Sequence, residues 1–400
     1  SQRAGLNKAE IISQVAWPEM DGQIITVPIA KPHGDNLRLK NYIPIEDRVD
    51  HIVKVAKNWA DIRRKPAKDR KVAIVMWQSR PDSGRMGSAA GLDGMESVSD
   101  IMIRLSKEGY TMDFVPENGR QLADRLLEGV TNDMNWMPSE SIREKAVALI
   151  PKKDYLRTFS SIPEFNRDMM IKNWGDPVGD ISTDKGMIVI PGMVSGNVYV
   201  GFQPLRAAYE QMDAMYHDPE LSIQHQYLAF YRWLQDDFQA DAVIHIGTHG
   251  TLEWLPGKNA GLSNKCFPNI VQNGMLDIYP YIIDDPGEGI QAKRRAEAVL
   301  IGHMCPTMAR AGSYDSLSKI ETPLQEFYKS KLSMTDDRRV LLISQILEAC
   351  KECSILEDLH VPNDVAIEDF DTLPNGKFHN FIEKLALGEG VRIAVMGDSF

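Results

Sequence analysis

The sequence is poor in the features that would place it at once. Four cysteines in 400 residues make no disulfide framework. Cys350 and Cys353 form a C-x-x-C pair in "LLISQILEACKECSILEDL". That segment reads as an amphipathic helix carrying buried or half-buried thiols, with no second pair at zinc spacing. No apolar run reaches the ~18 residues of a membrane span, and no signal-like hydrophobic region is present. No membrane segment is therefore expected, and a cytoplasmic location is. No Gly-x4-Gly-Lys-Ser/Thr loop and no G-x-G-x-x-G fingerprint occurs, so neither ATP nor a dinucleotide is expected on this chain. H-E-x-x-H is missing too. Positive charge is in deficit: the net charge is −11, which disfavours non-specific nucleic-acid binding.

What is present is globular. A 43% hydrophobic and 25% charged chain of this length exceeds one ordinary core, and two or three domains are expected. Residues 1–68 mix a short helix with a "GQIITVPIA" strand and end in the charged linker "DIRRKPAKDR". Residues 69–285 read as an α/β region. "KVAIVMW" is a buried strand, "MESVSDIMIRLSKEG" a helix and "YTMDFVP" the next strand, a βαβ unit that opens a parallel sheet. Asn118–Gly129 is a second helix, and 138–173 is a polar helical excursion. "KGMIVIPGMVSGNVYVGFQP" supplies two short strands around Gly192. "ELSIQHQYLAFYRWLQDDF" is a strong helix with Leu228, Tyr231, Leu234 and Phe238 on one stripe. Residues 286–400 read as mostly helical. The fold expected is α/β, with parallel-sheet Rossmann-like layers and a mostly helical C-terminal part. A start at Ser1 and a stop just after "VRIAVMGDSF" suggest a piece of a longer polypeptide.

The chemistry concentrates in "DAVIHIGTHGTLEWLPGKNAGLS", where His245, His249 and Glu253 recur every fourth residue. On one helix they would share a face and suit a metal ion. Gly247 and Gly250 argue against that helix, each costing about 1 kcal/mol relative to Ala. "ADAVIHI" instead reads as a strand, with Val243 and His245 on one face and Ile244 and Ile246 on the other. His245 then lies near the strand's carboxyl end, where open α/β sheets bind ligands, and His249 and Glu253 lie on the segment beyond that end. "SRPDSGRMGSAAGLDG" (79–94) is a glycine-rich strand-to-helix connection able to receive an anion. In "YIIDDPGEGIQAKRR", Asp285, Pro286 and Glu288 form a capping box. The next turns bring Lys293, Arg294 and Arg295, a basic cluster suited to carboxylates. "LIGHMCPTMARAGSYDSL" adds His303, Arg310 and Tyr314.

Taken in order, "MGSAAGLDG", "LLEGVTND", "WGDPVGDI", "NVYVGFQP", "YHDPEL", "YLAFYRWLQDDFQADAVIHIGTHGTLEWLPGK", "YPYIIDDPGEGIQAKRR" and "RAGSYDSL" resemble the large-subunit family of aerobic cobaltochelatase (CobN) and the magnesium chelatase H subunit. The resemblance runs from about residue 8 to about residue 330. It implies a large subunit of an ATP-dependent chelatase that binds both tetrapyrrole and metal. The activity it implies most directly is insertion of Co2+ into a corrin precursor, hydrogenobyrinic acid a,c-diamide. It further implies that a AAA+ ATPase and its metal-binding-domain partner hydrolyse ATP in trans. By resemblance Glu253 is the essential carboxylate, with metal-ligand and catalytic roles at His245, His249 and Glu253. Trp254, Lys258, Lys293, Arg294, Arg295 and Arg310 are assigned to the ring, the basic cluster from its charge. Other metals or rings, including magnesium-porphyrin chemistry and removal of haem iron, remain open, as do a non-catalytic tetrapyrrole carrier and an independent zinc hydrolase.

Overall fold

A computed structural model describes residues 6, 8–33, 41–78, 88–89, 92–134, 137–206, 221–247, 250–282, 286–303, 323 and 336–352. The chain forms two compact units, one built mainly of residues 1–305 and the other of residues 306–394. The first is organised on a six-stranded sheet of β1 (Val72–Met76), β2 (Met193–Ser195), β3 (Val198–Phe202), β4 (Ala242–Ile246), β5 (Leu276–Ile282) and β6 (Val299–His303), in the order β6-β5-β4-β1-β3-β2. All neighbours are parallel except β2, which closes one edge antiparallel to β3.

Every residue of β1 is buried. A central parallel strand is covered on both faces, which is why Val-Ala-Ile-Val-Met is apolar throughout instead of alternating. One face carries Val72, Ile74, Met76, Val198, Val200 and Ile246. They pack on Val98 and Met102 of α1 (Gly94–Lys107) and on Leu122 and Leu126 of α2 (Gly119–Leu127). Asp93 and Asn118 start these helices by accepting the N–H groups of Glu96 and Gln121. The other face carries Ala73, Val75, Tyr199 and Val243. It packs on α3 (His225–Asp236) and α4 (Phe267–Gln272). The α5 helix (Pro286–Ala296) joins β5 to β6, with Ala292 against Tyr279 and Tyr281.

The chain leaves β1 for β3 on one side, then crosses back to β4 on the other. The gap between β1 and β4 is therefore a topological switch point, and the crevice outside its carboxyl edge is the expected ligand position in such sheets.

The α/β class and parallel sheet are as expected from the sequence; several elements are not. "YTMDFVP" is no strand. Its Asp113 and Phe114 N–H groups donate to Ser195 Oγ, and the Thr111 carbonyl accepts from Asn197, so it is tied to the β2–β3 turn by side-chain and turn bonds in place of a ladder. The parallel partners of β1 are β3 and β4. In "GQIITVPIA" only Ala30 lies in a strand, which runs to His33 and pairs with Asn41–Pro44. Its apolar alternation reflects Ile25 and Val27 buried without a ladder.

The short helix expected near the N-terminus is present as consecutive turns, Lys8–Ile11, Ile12–Ala16 and Trp17–Met20. A second, longer helix, Glu46–Arg64, enters the expected linker, with acids in its first turn and arginines in its last, as the helix dipole favours. Three strands, not two, surround Gly192. The first, Met187–Ile190, belongs to a separate sheet with Ala148–Pro151 and Thr183–Asp184. Gly192 has φ +102°, and a Cβ there would meet the Val200 carbonyl at 2.6 Å. Within the stretch expected to be mostly helical, α5 is followed by the strand β6. In the second unit Asp336–Glu352 is a helix with Cys350 buried, as the pattern predicts. Among the described residues no helix is long and apolar enough to cross a membrane.

Candidate functional site

Three strand ends meet at the switch point. The Gln203 N–H donates to the Met76 carbonyl, and Trp77 N–H to the Ile246 carbonyl, binding the ends of β1, β3 and β4 together. Asn132 Nδ2 donates to Gln78 Oε1 at 3.1 Å and to the Gln203 carbonyl at 3.0 Å. The chain after β4 then returns over this edge as a single 3-10 turn, Leu252–Trp254, which carries Glu253.

Glu253 is 3% exposed. Its Oε1 accepts the Gly250 N–H at 2.9 Å. Burial pushes the carboxyl above the usual carboxylate range. Its own N–H, His245 and the Gly250 N–H pull the other way, and the Asp277 charge adds to the rise. Gly250 is a close approach: a Cβ there would lie 3.1 Å from Glu253 Oε2 and 3.5 Å from the Gln203 amide.

His245 stands on β4, on the face toward α3, and is 5% exposed. Its Nδ1 is 2.7 Å from Asp277 Oδ1 on β5, and its Nε2 is 2.9 Å from the Tyr231 hydroxyl on α3. The register pairs Val243 with Asp277, so Asp277 lies diagonally across from His245 on the same face. Burial lowers the affinity of the ring for its proton. The charge of Asp277, its hydrogen bond and the charge of Glu253 outweigh burial and raise it above the usual histidine range.

From Tyr231 the bonding continues. Gln203 Nε2 donates to the Tyr231 oxygen at 2.7 Å. Gln203 Oε1 accepts from Thr251 N at 2.8 Å and Thr251 Oγ1 at 3.0 Å, and Thr251 Oγ1 is 2.8 Å from the Tyr227 hydroxyl. Tyr279 packs edge-on against the His245 ring at 5.9 Å.

Of the residues expected from sequence, His245 and Glu253 share one buried cluster. His249, Arg310 and most of the 79–94 loop lie outside the described residues, as does Asp285. Trp254, beside Glu253, is 39% exposed, and the Lys258 N–H contacts Cys266 Sγ at 3.5 Å. The basic cluster is engaged internally. Arg294 donates twice to Glu19, Lys293 Nζ donates to the Glu19 carbonyl at 3.2 Å, and the buried Arg295 donates to the Leu255 carbonyl. Among the described residues no group of three His, Cys, Asp or Glu side chains is arranged to hold a metal ion.

Asp277, Gln203, Thr251 and Tyr227 are site members that sequence reasoning missed, and Tyr231 was assigned only to a core stripe. The signal was available in part: Asp277 is an acid inside the apolar run "MLDIYPYI".

The family model described as CobN/Magnesium Chelatase matches residues 1–387. An aerobic cobaltochelatase subunit CobN of Pseudomonas aeruginosa is 39% identical over 84% of this chain, which spans 27% of that protein. The chloroplastic magnesium-chelatase subunit ChlH of Oryza sativa is 30% identical over 90% of this chain and 25% of its own length. Among solved structures, the catalytic subunit of cobaltochelatase from Mycobacterium tuberculosis superposes with a TM-score of 0.69 at 33% identity, covering 93% of this chain and 31% of that one. The chain therefore spans about a quarter to a third of these relatives. With a family match across nearly its whole length and a parallel sheet that gathers the expected carboxylate at its switch point, the chain belongs to the CobN/magnesium chelatase family.

Proposed function

We propose that this chain contributes the tetrapyrrole- and metal-handling centre of an ATP-dependent chelatase that inserts Co2+ into a corrin precursor, with Glu253 as the proton acceptor. Insertion exchanges two pyrrole N–H protons for one divalent ion, so a base must stand where the ring nitrogens arrive. The observation that carries the reading is the Glu253 carboxyl, buried at the switch-point edge on a one-turn helix and raised above the usual carboxylate range. A base whose proton affinity lies nearer neutrality is a better acceptor at neutral pH. Water exclusion around it strengthens its charge interactions with an incoming cation.

Cobalt is favoured over magnesium by the higher identity to the cobaltochelatase subunit, 39% against 30%. Trp254, partly exposed beside Glu253, offers an aromatic face to the macrocycle. Lys293 and Arg294 meet a peripheral ring carboxylate by exchanging Glu19 for it. The chain has no Walker loop, so a AAA+ partner and its metal-binding-domain companion supply ATP hydrolysis in trans. The complete subunit, assembled with such partners and given Co2+ or Mg2+ with a corrin precursor or a porphyrin, tests this. Cobalt insertion into the corrin precursor is expected, and insertion of magnesium into porphyrin alone would overturn the metal assignment.

A further inference from the structure

We propose that His245 is a positioning residue and not a metal ligand, the inner end of a hydrogen-bonded strut, Asp277–His245–Tyr231–Gln203–Thr251, that fixes the turn presenting Glu253. The inference rests on the reading of Glu253 as the working carboxylate. It departs from the assignment that its sequence spacing suggests.

A ligating imidazole needs one ring nitrogen with an open lone pair. Both nitrogens of His245 are in use, Nδ1 on Asp277 at 2.7 Å and Nε2 on Tyr231 at 2.9 Å. A carboxylate on one nitrogen is also how metal-ligating histidines are commonly oriented, so Nε2 decides the matter. The group standing in the ligand position there is the Tyr231 hydroxyl. Tyr231 is fully buried, packed between Tyr227 and Phe230 at ring distances of 5.2 Å, and its oxygen is held from a second side by Gln203. Admitting an ion to Nε2 would require this ring to leave the core. Either protonation state keeps both nitrogens bonded, since the neutral ring accepts at Nε2 from the hydroxyl and the imidazolium donates to its oxygen.

The neutral ring gives one assignment in which every proton along the strut is used once. Asp277 accepts from Nδ1, Nε2 accepts from Tyr231, and Tyr231 accepts from Gln203. Gln203 Oε1 accepts from both the N–H and the hydroxyl of Thr251. The two bonds on Thr251 matter most. Thr251 immediately precedes the Leu252–Trp254 turn, and its carbonyl accepts the Trp254 N–H at 3.2 Å. Holding Thr251 therefore fixes the start of the turn on which Glu253 rides. Misplacing a reacting group by an ångström costs on the order of a hundredfold in rate, so a strut of this kind acts on turnover while touching neither metal nor ring.

The test is steady-state kinetics of metal insertion in the complete assembled chelatase, with KM measured separately for Co2+ and for the tetrapyrrole. Tyr231→Phe removes one oxygen and keeps the packing. It is expected to lower kcat about tenfold and leave both KM values within about threefold. His245→Gln should match it, and the double variant should lose no more than the worse single one, because both cut the same strut. A rise of tenfold or more in the Co2+ KM with His245→Gln, but not with Tyr231→Phe, would make His245 a ligand and overturn the proposal. Parental kcat in both variants beside an inactive Glu253→Gln would overturn the strut alone. An active Glu253→Gln would overturn the strut together with the reading beneath it.

Discussion

Arg294 grips Glu19 with two N–H bonds, from Nε at 3.2 Å and from Nη2 at 2.6 Å. A carboxylate from the N-terminal segment thus occupies, in the bidentate geometry that guanidinium groups favour, the position we propose for a ring carboxylate. In that proposal the two compete. Glu19→Gln weakens the internal partner and should tighten tetrapyrrole binding by up to about fivefold, the scale of a partly exposed ion pair. Arg294→Ala should weaken it. Fluorescence titration of the ring into each variant checks this, and unchanged affinity in both would leave the pair as a clasp for the N-terminal segment only.

Gly250 leaves little room for a side chain. The Cβ of Gly250→Ala would lie 3.1 Å from Glu253 Oε2, closer than ordinary contact, so the carboxylate must shift by a few tenths of an ångström. Insertion is expected to fall about tenfold with little change in thermal midpoint, since the backbone is not otherwise disturbed. Parental turnover in Gly250→Ala would show that Glu253 tolerates displacement.

His225 makes stability depend on pH. Its ring is held neutral in the core, accepting from the Tyr155 hydroxyl at Nδ1 and donating from Nε2 to the Gly175 carbonyl. Burial lowers its proton affinity, with the Gly175 bond and the Asp176 charge opposing. The unfolded chain protonates such a histidine near pH ~6.5, and the folded site only at lower pH. Between those values the unfolded state binds more protons, so the contribution is intact above pH ~6.5 and is lost as pH falls. Raised in the fold, His245 contributes in the opposite sense, with stability present at low pH and lost as pH rises. Urea midpoints at pH 7.5 and 5.5 should therefore show the parent's advantage over His225→Gln shrinking at the lower pH. A constant gap would contradict the assignment.

The parallel sheet was legible because β1 and β4 are short, β-branched, apolar runs bounded by polar turns, and the helix through Tyr231 has an unbroken stripe. "YTMDFVP" misled because its alternation is equally that of a strand, while the bonds that replace a ladder come from Ser195, distant in sequence. The candidate site was legible to the extent that His245 and Glu253 share one segment. Asp277 and Gln203 were not, since only the pairing of β4 with β5 and of β1 with β3 brings them beside His245 and Thr251. The helical spacing of the triplet was real as a pattern, yet a strand end and a 3-10 turn divide it between two kinds of structure. Sequence alone does not reveal Glu19 as the partner of Arg294 within the basic cluster.

The role assigned to the Glu253 carboxylate is to take protons during insertion. Glu253→Gln keeps the shape and can still accept the Gly250 N–H, so the turn should hold its form. Tetrapyrrole affinity, governed by apolar contact with the ring, should remain within a few-fold of the parent. Cobalt insertion by the complete assembled chelatase should fall on the order of a hundredfold, the scale of losing a positioned base. The direct measurement is the initial rate of metallated-ring formation by absorbance, parent against Glu253→Gln at matched ring occupancy. A hundredfold loss with binding intact is the predicted result, and an unchanged rate would contradict the account.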